Sequence, residues 1–359
     1  MSRGPNKRIE ARKPASAKIV RIFALLISLS WHSLAQDIQF SQFYANILYL
    51  NPAFAGSANA SRAIFHQRIQ WPHLDAKYIT SSFSLDHQFE KINSGVGLIL
   101  LKDWQGANTI SSTEAAMLYS YELSVSSKFS LRAGAKVNYV SRYINYNYLT
   151  LPDQYSNNGF SGVETQESFG NNKINYLDFS VGGVLYSDRF WLGIASDHLN
   201  RPNQSFSSGR DTSRLPIKMD FTTGTKIYIE KKRTTAFGEE GKEINLTPTV
   251  HYKFQGKSDQ VDLGLYGLYD HIIFGFWYRG IPLLKQYRAG LQNNESMVFL
   301  TGWKIQRLLV SYSYDFTVSK LARANTGGSH ELNITYVWEY PKKKKTKPMK
   351  RLPCPDFFD

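Results

Sequence analysis

From about residue 60 onward the chain alternates polar and apolar positions with a period of two. In Leu309–Phe316, Val310, Tyr312, Tyr314 and Phe316 fall on one face and Leu309, Ser311, Ser313 and Asp315 on the other, because successive side chains of a strand point to opposite sides. Phe129, Leu131, Ala133, Ala135, Val137 and Tyr139 alternate in the same way with Ser130, Arg132, Gly134, Lys136 and Asn138. Reading strands from this period, with turn residues as boundaries, predicts fourteen: near 60–70, 76–87, 93–101, 110–123, 128–141, 174–186, 188–197, 217–230, 244–254, 259–269, 271–280, 295–304, 306–316 and 329–340. No stretch supplies the roughly 20 apolar residues of a spanning helix. Strands with aromatic-rich apolar faces predict a sheet that meets lipid outside and water inside, and such a sheet must close. The expected fold is all-β, a transmembrane antiparallel β-barrel of about 14 strands. A soluble sandwich with its apolar faces turned inward fits the alternation equally well.

The connections separate the two. Counted from the first strand, the even ones are mostly tight, as at 124–127, Ser187, Asp270 and 304–307, whereas the odd ones, 142–173, 198–216, 281–294 and 317–328, are long and rich in Asn, Gly, Ser and Pro. Outer-membrane barrels show this asymmetry, with the short side in the periplasm. An even strand count then returns both termini to the periplasm. The segment Gln286–Leu291 is assigned to a loop, and the charged stretch 231–243 is either a periplasmic contact or a solvated loop.

Charge sits at the two ends of the chain. Residues 22–34 form a short apolar core behind seven basic residues, and Ser33-Leu34-Ala35 follows it. This is the pattern of a signal peptide cleaved after Ala35, with an uncleaved anchor as the alternative. Its loss takes the formal charge from +14 to +8, and the tail 341–359 carries +5 of the remainder, leaving about +3 for the barrel. An exported chain meets no nucleic acid, so the tail either touches an anionic lipid, peptidoglycan or an acidic protein, or is simply solvated. The single Cys354 allows neither an intrachain disulfide nor a Cys-based metal site. The expected organisation is a signal peptide (1–35), an amino-terminal periplasmic or plug segment (36–60), a barrel (61–340) and a basic periplasmic tail (341–359). Residues 36–60, with a turn at Asn51-Pro52-Ala53-Phe54-Ala55-Gly56, read either as a plug folded into the periplasmic mouth or as an extended arm.

Several blocks, in order, carry a resemblance that spans nearly all of the mature chain. They are Gln36–Tyr44 with Leu48–Gly56, Arg68-Ile69-Gln70-Trp71-Pro72, Asp86-His87 with Gly95-Val96-Gly97, His198–Phe206, Trp277-Tyr278-Arg279-Gly280, and Ser311–Phe316 leading to Gly327–Glu331. In these blocks the chain resembles the PorP/SprF family, outer-membrane proteins of the type IX secretion and gliding system. The leader, the 231–243 insertion and the basic tail depart from it. The resemblance implies a barrel that supports export or surface attachment of a large secreted adhesin with a carboxy-terminal sorting domain. It also implies docking of a periplasmic peptidoglycan-binding lipoprotein.

Enzymatic constellations are absent from the sequence. None of the eight His residues forms His-x-x-x-His or His-Glu-x-x-His, and adjacent strand residues such as His330 and Glu331 point to opposite faces. Gly182-Gly183 and Gly327-Gly328 lack the context of a phosphate loop, and strand glycines commonly ease barrel curvature. No enzyme, cofactor or metal site is expected, and interfacial girdles account for most of the aromatic residues. The candidate partner-binding residues are Asn51, Pro52 and Phe54 in the amino-terminal segment and His198, Asn200, Arg201, Pro202, Asn203, Gln204 and Phe206. The 198–206 stretch is either a protein-contacting loop or a loop folded back into the lumen. Two functions follow, a secretion scaffold and anchor or a passive or substrate-specific diffusion channel, since about fourteen strands enclose a lumen that needs a plug or water.

Overall fold

The computed structural model describes residues 37–359 except 59, 107–108, 157–158, 168, 208–212, 231–241, 257, 289–290, 320–324, 339–351 and 354–359, with backbone alone at 282–288 and 291–294. The leader, most of the charged insertion, the lysine run of the tail and Cys354 therefore lie outside the described residues.

The fourteen strands are β1 (Ser61–Gln70), β2 (Tyr78–Phe89), β3 (Ser94–Gln105), β4 (Ile110–Ser124), β5 (Ser130–Ile144), β6 (Lys173–Tyr186), β7 (Phe190–Asp197), β8 (Lys218–Thr225, resumed after Lys226 as Ile227–Glu230), β9 (Ile244–Gln255), β10 (Ser258–Tyr269), β11 (Ile272–Arg288), β12 (Leu291–Ile305), β13 (Leu308–Thr317) and β14 (Ser329–Trp338). Each pairs antiparallel with its sequence neighbour. Strand β14 returns to β1 over the full register from Ser61↔Trp338 to Gln70↔Ser329 and closes the barrel.

One expected loop is not a loop. The 281–294 connection continues the β11–β12 hairpin to Arg288 and Leu291, with register shifts after Arg279, Ile281 and Gln286. Main-chain pairing alone holds a hairpin together beyond the lipid, so no apolar face is imposed there and no period of two marks the extension.

The wall is inside-out relative to a soluble sandwich. Leu131, Ala133, Val137 and Tyr139 of β5 point outward, while Arg132, Lys136 and Asn138 are buried inside. Strand after strand repeats this, with Leu100, Phe276 and Phe299 exposed on the outer face and Asp86, Asp262 and Asp315 buried on the inner. At the rim where β1 begins and β14 ends, five turns are tight, and Asn93, Asp270 and Gln306 take left-handed backbone angles in three of them. Asn and Asp tolerate that conformation better than other non-glycine residues. The opposite rim carries the long connections 145–172, 198–217 and 318–328, so the short-turn rim is the periplasmic one.

The core lies within the lumen. A short helix α1 (Ile47–Leu50) and a 3-10 turn at Pro52–Phe54 stand inside the barrel. Ile47, Leu48 and Phe54 pack there with inward Ile64, Ile99, Leu118, Ile273 and Leu300. Not every aromatic residue serves an interfacial girdle. Trp191 and Trp277 are fully buried in this core, against Tyr44 and Phe43 respectively, at ring distances of 5.8 and 6.1 Å. Leu352, one of two described residues of the tail, also joins it.

Candidate functional site

The inward charges of the wall form a continuous belt. His66 lies 3.1 Å from Glu331, which also pairs with Arg68, and Arg68 reaches Asp315 at 3.2 Å. Arg279 stands between Asp315 and Asp262 at 3.3 and 3.0 Å, and His251 between Asp262 and Asp220 at 3.4 and 2.8 Å. Lys218 joins Asp220 to Asp197 at 3.4 and 3.0 Å, and Lys136 ends the run 2.9 Å from Asp197. The belt thus crosses β1, β14, β13, β11, β10, β9, β8, β7 and β5. Removing these groups from water is costly, and alternation of sign along the run offsets that cost.

The amino-terminal segment completes the network. The backbone N–H groups of Ser41 and Gln42 donate to the Glu331 carboxylate at 2.6 and 2.8 Å, and the Ser41 hydroxyl donates to Asp315. The Gln42 amide bridges the Glu331 carbonyl (3.1 Å) and the Ser311 hydroxyl (2.7 Å). Further along, Asn51 donates to the Ile194 carbonyl at 3.0 Å and accepts from Ala53 N–H at 2.9 Å, capping the Pro52–Phe54 turn. Arg132 donates to the carbonyls of Ala53 (3.2 Å) and Ala55 (2.6 Å) while pairing with Glu122 (3.0 Å). Arg62 reaches the Phe54 carbonyl at 3.4 Å, and Gly56 N–H donates to Asp86 at 2.7 Å. Main-chain groups that would otherwise be buried without partners are therefore met by fixed wall charges.

Three wall glycines, Gly95, Gly134 and Gly182, admit this segment, a Cβ on Gly95 meeting the Ala55 carbonyl oxygen at 2.1 Å. A Cβ on Gly134 would lie 2.5 Å from Ala53 N and Pro52 C, and one on Gly182 would lie 2.1 Å from Asn51 Oδ1. Close approach of the amino-terminal segment of the same chain, rather than barrel curvature, accounts for glycine at these positions.

At the outer rim, Asp37 accepts from His198 Nε2 at 2.6 Å, with Lys218 at 3.9 Å, and the other ring nitrogen of His198 lies 2.9 Å from Asp178. Burial alone would lower the His198 pKa, but the Asp37 charge and the hydrogen bond to Asp178 outweigh it and push it up to about 10. Burial alone would raise Asp37, and the imidazolium with Lys218 instead holds it well below the usual carboxylate range.

The candidate partner residues are dispersed among these features. Asn51, Pro52 and Phe54 are buried inside the barrel against the wall. His198 is the Asp37 latch. Asn200 donates to the Leu177 carbonyl at 2.7 Å and accepts from Phe179 N–H at 3.3 Å, and Asn203 accepts from Ser205 and Ser213 N–H at 3.2 and 2.9 Å. Pro202 is buried, Gln204 accepts from Arg142, and Phe206 lies under the Arg142 guanidinium at 5.9 Å. Arg201, exposed at the turn, has a positive φ of 46°. The 198–206 loop thus spends most of its amides on itself and the adjoining strands. The plug-binding charges Asp86, Asp315 and Glu331 fall within the family blocks, Arg62 and Arg132 are legible only as polar residues at inward positions, and the pairing of all five depends on register.

A closed barrel with a lipid-facing apolar wall, a charged inner wall and a lumen occupied by its own chain defines an integral outer-membrane β-barrel protein. The sequence pattern of the family described as "Type IX secretion system membrane protein PorP/SprF" matches residues 32–336. The chain belongs to the PorP/SprF family of type IX secretion, a family of secretion-system membrane proteins rather than enzymes. No curated protein matches it. Among solved structures it is similar to the Acinetobacter baumannii outer membrane protein Omp33 (7% identity, 78% of this chain and 98% of that one, TM-score 0.41). It is also similar to the KdgM porin (9%, 77% and 99%, 0.35) and to a Pseudomonas aeruginosa FadL homologue (13%, 80% and 93%, 0.38). These likenesses carry no functional weight.

Proposed function

We propose that this outer-membrane barrel is a scaffold and anchor of the type IX machinery rather than a diffusion channel. The observation that carries this reading is the seating of residues 37–57 along the lumen on wall carboxylates and arginines. Two cavities along the segment are small, about 20 Å³ around Tyr44 and Ile273 and about 40 Å³ around Phe43 and Lys253, and a larger one of about 660 Å³ lies beside the start of β1 at Arg62, Asp86 and Trp338. The two small spaces hold one to a few waters, whereas a porin keeps a wide aqueous passage.

The two rims supply the partner faces. Outside, the 145–172 loop is internally braced, with Asp153 accepting from Thr165 Oγ1 and Gln166 N–H at 2.7 and 2.8 Å. It exposes Tyr148, Tyr155 and Phe160 beyond the strands, as a protein-contacting surface does. This supports contact with a large secreted adhesin. The periplasmic rim is the face for a peptidoglycan-binding lipoprotein.

A gentle detergent pull-down of the tagged protein, with mass spectrometry and planar-bilayer conductance, tests the proposal. A nearly silent barrel that retains an adhesin or lipoprotein is expected. A solitary barrel that conducts ions would favour the channel.

A further inference from the structure

Residues 37–57 run from the outer rim to the periplasmic one. Asp37 meets Gln255, the last residue of β9, His198, just past β7, and Lys218, the first residue of β8. Asn51 meets Ile194 within β7, and Gly56 and Ser57 meet Asp86 and Arg62 beside the start of β1. The segment is thus neither an extended arm nor a plug confined to the periplasmic mouth, the two expectations for this stretch. With the lumen filled by its own chain, a partner outside the cell has the outer loops to meet.

The longest of these loops, 145–172, is built rather than slack. Its feet are tied, the Asn145 N–H donating to the Thr109 carbonyl at 2.7 Å and the Asn171 N–H to the Phe206 carbonyl at 3.1 Å. Tyr146 stacks on Phe169 at 4.2 Å. Beyond them Tyr155-Ser156 pairs with Gly159-Phe160 as a short hairpin. The Gln154 side chain donates to the Val163 carbonyl at 2.9 Å, and its main-chain carbonyl accepts from Ser161 N–H at 2.8 Å. Asp153 ties Thr165 and Gln166 to the same place. These bonds hold two arms side by side and set Tyr155 and Phe160 edge to face at 5.7 Å, with more than half of each side chain left exposed.

The same arms carry charge of one sign. From Asn145 to Asn172 the chain has Asp153, Glu164 and Glu167 and no Lys, Arg or His. Glu164 and Glu167 are exposed and make no ion pair among the described residues. Hydrogen bonds from Thr165 and the Gln166 N–H hold the Asp153 carboxyl below the usual carboxylate range, so it too stays charged. The flanking bases stand at the foot of the loop, where Arg142 donates to Gln204 over the Phe206 ring and Lys173 begins β6. Exposed rings among carboxylates attract a cation twice, through the ring quadrupole and through charge. An acidic partner is repelled, and a neutral one uses the rings alone. Resting on the reading that the outer rim meets a secreted protein, we propose that the 145–172 loop binds a lysine- or arginine-rich segment of that protein. Its cations seat over Tyr155 and Phe160 and against Glu164 and Glu167.

The full-length barrel in phosphatidylcholine nanodiscs, titrated with a fluorescent Arg-Ser repeat peptide and with a Glu-Ser repeat of equal length, tests the proposal. Binding of the first alone is expected, weakening with added salt. Glu164→Gln with Glu167→Gln, and separately Tyr155→Ala with Phe160→Ala, should each weaken it about three- to tenfold, the size of a few exposed contacts. Equal binding of both peptides, or undiminished binding in either variant, would overturn the proposal. So would capture of dextran without the Arg-Ser peptide, which would give the rings to a glycan. All four substitutions fall on exposed side chains, and heat-modifiable migration checks that each variant folds. The purified barrel reads the loop by itself. Failure there leaves the scaffold reading standing, whereas that reading fails in the pull-down, as a solitary conducting barrel.

Discussion

Replacing Arg132 by Met probes how firmly the lumen segment is held. The guanidinium is 1% exposed and donates to Glu122 Oε2 (3.0 Å), Gln88 Oε1 (2.9 Å), Ser120 Oγ (3.0 Å) and the carbonyls of Ala53 and Ala55. Methionine fills much of the volume but leaves the Glu122 carboxylate buried without its cation. Breaking one side of a buried pair costs about 3–5 kcal/mol, and each deserted carbonyl adds about 1–3 kcal/mol where nothing replaces its donor. Ser120 still donates to Ala55 at 2.7 Å, so the second contribution falls mainly on Ala53. A net loss of about 4–8 kcal/mol is expected on these grounds. Equilibrium unfolding in lipid vesicles, followed by tryptophan fluorescence, reads it, because Trp191 and Trp277 sit in the same core. Adding Glu122→Gln should recover part of the loss by removing the stranded charge. A change below about 1 kcal/mol, the size expected of an exposed pair, would refute the claim that Arg132 anchors the segment.

Other consequences are independent of that one. Gly134→Val drives a side chain into the Ala53 and Pro52 backbone, costing about 1–3 kcal/mol as overpacking does, and raised bilayer conductance would report the displaced turn. Val137→Arg puts a charge at the centre of outward-facing β5 and should cost about 2–4 kcal/mol near the midplane; normal folding yield in vesicles would contradict the register. The His198 latch stabilises fully below the ordinary histidine value of about 6.5 and loses that contribution as pH rises through about 10. The Asp37 contribution is present above the ordinary carboxylate value and is lost as pH falls through its depressed one. Protection of the Ser41 and Gln42 amides, taken relative to their base-catalysed intrinsic exchange, should therefore fall above about pH 10, and His198→Gln should remove that pH dependence of the protection.

All fourteen strands were legible because lipid imposes one apolar face on every spanning strand, and the period of two follows directly. The inward positions of Arg132, Lys136 and Asn138 were legible for the same reason. The β11–β12 extension was not, since beyond the lipid no face is selected. The family blocks at Gln36–Gly56 and His198–Phe206 marked segments that the structure uses, but not their contacts. Asp37 and His198 lie 161 residues apart, and Ser41 and Glu331 lie 290 apart.

What the sequence alone determined is therefore the wall: strand number, which face meets lipid, and which rim carries long loops, all set by local alternation against a planar solvent. Only the tertiary structure decided what fills the barrel, and in which direction. Those outcomes depend on charges brought together by strand register and on glycines whose missing side chains make room for another part of the chain. A pair such as Arg132 and the Ala53 carbonyl, 79 residues apart, exists only once the barrel has closed around the segment.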